Sequence, residues 1–369
     1  MKINNVSVLG AGSGGYATAA DLTQRSFSVN LYEIPRLAAN IEEAKEKGGI
    51  YAKGVLKKGE GFVKINKITT DIESALKGAE MIILAIPAFG VEAFADQCIP
   101  YIKDNQMVVF TMAAAGGAIR FRMKMRELAP NLNIKVGEAS TLMYGCRRTG
   151  PAEVNVLLYV QNAFFSAFPA EDTPELIEAF KELYPSIKPA TNVLETTLNS
   201  GNPVIHPASS ILNAGGIEYA KGEFYLYKQG ISQAVAKVIG TVDEERLALC
   251  RALGYKELST KERIVNYGYC KPKETLFEEF ATSEIFTKAK GPSDLHDRYL
   301  TEDIPFGLVL WASLGKSLGV ATKTMDKIID IGSILCDRNF REEGLTIEKL
   351  GLDGLSASQL NKYLLTGEK

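Results

Sequence analysis

Val6-Ser7-Val8-Leu9-Gly10-Ala11-Gly12-Ser13-Gly14-Gly15 sets Gly10, Gly12 and Gly15 at the spacing G-x-G-x-x-G directly after a short apolar run. Between a strand and a helix each glycine has a separate task. Gly10 permits the tight turn, Gly12 removes the Cβ that would block a pyrophosphate, and Gly15 lets helix and strand pack closely. The helix, expected to run to about Arg25, offers unpaired N–H groups and a partial positive charge at its N-terminus, with Ser13 and Gly14 in the same turn. The same glycines without these flanks would be an ordinary turn. The strand before and the helix after make a dinucleotide site the better reading.

Outward from the loop, apolar runs at 6–9, 28–32, 81–86 and 107–110 alternate with amphipathic stretches, the pattern of βαβ units around a parallel sheet. Glu33 closes the second run at the offset of a carboxylate that binds both ribose hydroxyls of NAD and repels a 2′-phosphate. Arg36 would favour that phosphate, so NAD is expected with NADP as the alternative. Ile86-Pro87-Ala88 ends a strand at the carboxyl edge of the sheet, where Pro87 either shapes the nicotinamide floor or simply stops the strand. Residues 48–61 read as a small hairpin excursion, and Thr70-Asp71-Ile72-Glu73 as a capping box opened by Thr70. Further strands are expected at 154–159 and 163–168.

Beyond about residue 190 the periodicity turns helical, over 231–239, 244–253, 275–280, 306–318 and 325–335. The expected fold is therefore α/β: an N-terminal Rossmann-type doubly wound sheet over 1–187, followed by an all-helical substrate and catalytic domain over 188–369. The length of 369 residues suits two domains, because single cores rarely exceed roughly 250–300 residues. A net charge of −2 leaves no basic surplus for nucleic acid. No apolar run reaches the roughly 18 residues of a spanning helix, so no membrane partner is expected. Residues 1–15 lack the basic and long apolar regions of a secretory signal, and the expected location is cytoplasmic. Cys98, Cys146, Cys250, Cys270 and Cys336 are scattered without metal-ligand spacing and read as reduced thiols, with no metal site.

Only two histidines, His206 and His296, can exchange protons near neutral pH. His206 sits in Asn202-Pro203-Val204-Ile205-His206-Pro207, where the following proline restrains it to extended backbone at the entrance of a helix. A catalytic acid/base and a satisfied core or capping histidine both fit that position. His296 lies in a charged run, 294–298, that reads as a solvated helix face. Asp303 precedes a proline-started helix and is either its N-cap or a carboxylate that fixes the His206 tautomer. Glu138-Ala139-Ser140-Thr141-Leu142-Met143-Tyr144-Gly145-Cys146-Arg147-Arg148 places small polar groups, a phenol and two guanidiniums near a strand end. Thr141, Tyr144 and Arg147 are its candidates for a carboxylate pocket, with paired surface arginines as the plainer alternative.

In order and spacing, G-A-G-S-G-G, E-A-S-T-L-M-Y-G-C-R, N-P-V-I-H-P and R-Y-L-T-E-D-I-P-F-G-L-V resemble the octopine/nopaline dehydrogenase family over nearly the whole chain. The resemblance implies a Rossmann domain followed by a helical one. It also implies reductive condensation of an α-keto acid with an amino acid or amine, driven by NADH or NADPH, to an opine: a secondary amine carrying carboxylates. By motif it implies His206 as catalytic acid/base, Asp303 as its partner, and Arg298 as a group reaching the cofactor pyrophosphate from the second domain when the cleft closes. One departure is the alanine-rich stretch at 112–118, where an Asn-Pro-Gly-like lead-in is expected; it bears on the shape of the cofactor floor. The expected assembly is a homodimer. Two other classes suit the same domains. A simple 2-keto or 3-hydroxy acid reductase would consume NADH with keto acid alone, and a catalytically silent nucleotide sensor would have no use for both His206 and Asp303.

Overall fold

The computed structural model describes residues 2–112 and 115–369, so Ala113 and Ala114 of the alanine-rich stretch lie outside the described residues. The chain divides into two compact units, Met1–Thr197 with Leu364–Gly367, and Leu198–Tyr363 with Glu368–Lys369. This division falls beyond the 187/188 break expected from the sequence. The reason is local: the hydroxyls of Thr196 and Thr197 lie 2.8 and 3.1 Å from Glu138 Oε1, which keeps the segment before Leu198 with the sheet.

The strands of the first unit are β1 (Asn5–Leu9), β2 (Ser28–Tyr32), β3 (Gly49–Gly54), β4 (Gly61–Lys64), β5 (Lys67–Thr69), β6 (Met81–Leu84), β7 (Met107–Phe110), β8 (Lys135–Ala139), β9 (Tyr144–Gly150), β10 (Glu153–Tyr159), β11 (Phe164–Ala167) and β12 (Lys188–Pro189). Eight of them form a sheet in the order β12-β11-β8-β7-β6-β1-β2-β5, parallel except for the β8–β11 pair. β6 and β7 are buried along their whole length, as unbroken apolar strands must be when both faces are covered. The winding reverses between β1 and β6, the switch point at which doubly wound sheets bind ligands.

Helix α1 (Ser13–Gln24) follows β1 through the glycine loop. Gly10 has φ of +96°, and a Cβ there would stand 2.7 Å from Ile86 Cγ2, at the end of the β6 segment. A Cβ on Gly15 would stand 1.8 Å from the Gly10 carbonyl oxygen, an approach that only glycine allows. A Cβ on Gly12 would meet nothing within 4 Å. The helix buries every residue from Gly15 to Leu22, including Asp21. This total burial comes from a feature the sequence did not disclose. The hairpin excursion, β3 with β4, joins β9 and β10 in a second sheet of order β4-β3-β10-β9, and β9 packs on α1. Asp21 is therefore fully buried. Tyr144 Oη at 2.8 Å, the Tyr159 hydroxyl and Arg25 Nε at 2.9 Å supply its hydrogen bonds.

The expected cap at Thr70 is one residue off. Asp71 caps the helix Ile72–Leu76, its carboxylate accepting from Ser74 N–H, because its backbone is extended and its short side chain reaches the N3 amide.

The second unit includes helices α2 (Asn202–Ile211), α3 (Gln233–Leu253), α4 (Thr260–Asn266), α5 (Arg298–Thr301), α6 (Val309–Leu318) and α7 (Lys323–Leu335), with π-helical turns at Leu226–Gly230 and Asp303–Leu308. The two segments expected at 231–239 and 244–253 are one helix, α3; Thr241 turns its hydroxyl back to the Lys237 carbonyl instead of breaking the run. Buried Arg246 holds this unit together through Asp243, the Leu198 carbonyl and the Leu258 carbonyl. No helix among the described residues is long and apolar enough to cross a membrane.

The two loop glycines give opposite expectations. Gly15→Ala should lower stability by about 1–3 kcal/mol through overpacking, read as a fall in Tm. Gly12→Ala should melt like the parent while losing affinity for a dinucleotide. Equal melting of the two variants would contradict this division of tasks.

Candidate active site

The glycine loop is shaped for a phosphate. α1 starts after its N-cap Gly12 without any side-chain cap on its first amides and without an acidic residue in its first turn, so those N–H groups and the helix dipole are open to an anion. Gly12 is exposed, Ser13 Oγ accepts from the Arg148 amide at 3.0 Å, and Gly14 lies under Leu142. Pro87 is half-buried and caps the short turn Ala88–Gly90, next to the Ile86 that touches Gly10. This bare, Cβ-free cradle fits a dinucleotide pyrophosphate.

Glu33 is only 3% exposed. Its carboxylate accepts from Ala11 N–H at 3.1 Å, Ile34 N–H at 2.9 Å and Asn40 Nδ2 at 3.1 Å. It therefore braces the loop. Arg36 is exposed on the turn Pro35–Asn40.

The expected carboxylate pocket needs correction. Tyr144 is 2% exposed and commits its hydroxyl to Asp21 and to Tyr184 Oη at 3.1 Å, so it is a core residue of the first unit. Arg147 is exposed on β9, whereas Arg148 turns toward the glycine loop. Its Nη1 donates to the Ala11 carbonyl at 3.1 Å, its Nη2 to the Pro151 carbonyl at 2.6 Å, and the guanidinium lies 4.3 Å from the Tyr16 ring centre. The period of two along a strand decides which arginine faces in. Thr141 is half-buried in the connection between β8 and β9, beside the Leu142 that covers Gly14.

In the second unit His206 and Asp303, 97 residues apart, meet at 2.8 Å between Nδ1 and Oδ2. Both are buried, at 6% and 5% exposure. His206 is not held extended before a helix; α2 starts four residues earlier, at Asn202, with Pro203 in its first turn, and His206 lies within it. Asp303 opens the π-helical turn Asp303–Leu308 and makes no capping bond, so its carboxylate goes to the imidazole. The turn can come this close because position 307 is glycine: a Cβ there would stand 2.4 Å from Pro203 Cγ. With Asp303 accepting from Nδ1–H, a neutral ring keeps its lone pair on Nε2, the atom left to exchange protons.

Two tyrosines that the sequence reading did not single out complete the surroundings. Tyr227 Oη is 2.8 Å from His206 Nε2, and Tyr299 stacks on the imidazole at 3.8 Å with 5° between planes. Tyr299 stands four residues before Asp303 inside R-Y-L-T-E-D, a findable signal; Tyr227 carries none. Burial pushes the Asp303 carboxyl up to about 7, against the pull of the Arg298 charge and with a push from Asp297. Arg298 has its Nε 3.6 Å from Oε2 of the buried Glu302. Burial works against its charge, but Glu302 and Asp303 outweigh that and raise its pKa. His296 is exposed, as expected. No group of His, Cys, Asp or Glu able to hold a metal occurs among the described residues.

Comparison with known proteins agrees with this division. Residues 189–336 match the family described as NAD/NADP octopine/nopaline dehydrogenase, alpha-helical domain, and residues 5–117 match the NAD-dependent glycerol-3-phosphate dehydrogenase N-terminus. An opine dehydrogenase of Arthrobacter sp. (strain 1C) is 34% identical over 97% of this chain and 98% of its own length. Among solved structures, octopine dehydrogenase with NADH and L-arginine has a TM-score of 0.76 at 22% identity, covering 99% of this chain and 98% of that one. Yersinopine dehydrogenase with NADP+ has a TM-score of 0.68 at 17% identity, with coverage of 99% and 98%. These structures share the fold, and the full-length identity adds kinship: the chain belongs to the opine dehydrogenase family of NAD(P)-dependent oxidoreductases that act on CH–NH bonds.

Proposed function

We propose that this enzyme condenses an α-keto acid with an amino acid or amine and reduces the resulting imine to a secondary amine, with His206 as acid/base and Asp303 as its partner. The observation that carries the assignment is the buried 2.8 Å contact between His206 Nδ1 and Asp303 Oδ2. The relatives' names support the substrate classes: structures of octopine dehydrogenase are described with L-arginine, agmatine and pyruvate. The simple reductase and the silent sensor are the weaker readings, because full-length similarity runs to an opine dehydrogenase.

Bound reduced nicotinamide supplies a hydride to the imine carbon. The chain's own residues do the rest. The first amides of α1 would hold the pyrophosphate, with Gly12 giving it room. Asp303 keeps the His206 ring in one tautomer and stabilises its protonated form, and Nε2 is the atom that gives a proton toward the imine nitrogen. In the reverse direction neutral His206 takes a proton from the amine or from the attacking water. Arg298 moderates Asp303 through its charge. A matrix of keto acids against amines, read by NADH and NADPH absorbance, tests the reading; consumption with keto acid alone would return the simple reductase.

His206→Ala should lower kcat by roughly 10²–10⁴-fold with NADH affinity nearly unchanged, because acid/base help acts in the transition state. Since the Asp303 carboxyl stands near 7, the pair exchanges its proton in the neutral range. Reduction needs that proton and should slow as pH rises through about 7, whereas oxidation needs the base and should speed up. Asp303→Asn should remove the carboxylate that favours imidazolium and so move the profile to lower pH; an unmoved profile would separate Asp303 from the chemistry.

For cofactor choice, the Glu33 charge braced beside the glycine loop opposes a 2′-phosphate, so calorimetry should find NADH tighter than NADPH. A tenfold preference for NADPH, about 1.4 kcal/mol, would hand the decision to Arg36.

A further inference from the structure

His206 is enclosed on three sides. Asp303 holds Nδ1, Tyr299 covers the ring face, and the Tyr227 hydroxyl lies at Nε2. An imidazole nitrogen has one site in the ring plane, filled by either a proton or a lone pair. At Nε2 the Tyr227 oxygen, 2.8 Å away, stands at that site. The phenol is itself held. Its ring stacks on Phe286 at 4.8 Å and on Phe280 at 6.0 Å, Phe286 stacks in turn on Tyr269 at 4.9 Å, and Tyr227 is 6% exposed. Swinging it aside would dismantle a packed aromatic column, whereas turning the O–H about its C–O bond leaves the ring in place. Tyr227 also sits in the π-helical turn Leu226–Gly230, a backbone form that is rare and frequent at functional sites.

We propose that Tyr227 is the group through which His206 exchanges its proton with substrate, making a relay of Asp303, His206 and Tyr227. This rests on the reading of His206 as acid/base. In the reducing direction the Tyr227 O–H bond breaks as its proton passes to the imine nitrogen, whose electron pair forms the new N–H bond. The Nε2–H bond of the imidazolium breaks in turn, and that proton restores the phenol. His206 ends neutral with Nδ1–H still on Asp303, Tyr227 ends as it began, and the electron pair that reduces the carbon arrives with the hydride of the NAD(P)H reaction. In the oxidising direction each transfer runs backward.

Tyr227→Phe in the full-length enzyme keeps the ring stack and removes only the hydroxyl. The expected result is a loss of roughly 10²-fold in kcat with NADH affinity, read by fluorescence titration, unchanged. A proton inventory in H2O/D2O mixtures should be curved for the parent, where two protons move, and linear for the variant. Tyr227→3-fluorotyrosine should restore turnover at a rate that follows the altered phenol acidity. If Tyr227→Phe keeps the parent kcat and inventory while His206→Ala loses turnover, His206 serves the substrate directly and the relay is overturned. If His206→Ala also keeps turnover, the acid/base reading falls first. Should Tyr227→Phe fold poorly, the fluorotyrosine enzyme decides alone, since turnover indifferent to fluorination overturns the relay.

Discussion

The approach of the Asp303–Leu308 turn to the first turn of α2 governs the helical unit. Pro203 presses on a glycine at 307, so the two backbones close to a distance at which any side chain would collide. That closeness delivers a carboxylate from one segment to an imidazole on another. It also explains why Asp303 leaves the task of helix cap: the π-helical winding turns its side chain inward, and the imidazole offers a donor in a buried place. The first unit rests on a matching constraint, the Gly10 carbonyl lying where a Cβ on residue 15 would be.

Period, spacing and special residues were readable from the sequence. The continuous apolar runs became the buried strands β1, β2, β6 and β7, and the glycine spacing became a loop with open first amides. His206 and Asp303 stood out because histidine is scarce and both flank proline-marked turns. What stayed hidden depends on partners far along the chain. The hairpin at 48–61 showed its own strands, but nothing local says that β10 pairs beside it. Arg147 and Arg148 are equivalent in sequence, and the choice between them is made by the phase of β9 against α1. Tyr144 looked like a ligand group because it is polar and near glycines; a buried aspartate on a neighbouring helix had the prior claim. Tyr227 had no chance of being singled out, since its meaning comes from a fold that brings it to Nε2.

The polar groups inside the two units solve the same problem differently. Asp21 is paired with a guanidinium and hydrogen-bonded by phenols. Asp303 is buried against a ring that can itself gain or lose a proton, which keeps it responsive. For Asp303, desolvation beside a titratable partner makes the proton tunable.

The second sheet has a further effect on α1. A helix on an open Rossmann sheet shows one face to solvent, and that face can change residue by residue with little penalty. Here the stretch from Gly15 to Leu22 has no such face. Drift in this segment is closed off on every side, so the helix can diverge only in step with the strand that covers it. A substitution in β9 is then felt at the phosphate end of α1, and the history of the cofactor loop is written partly in a sheet separate from the main one.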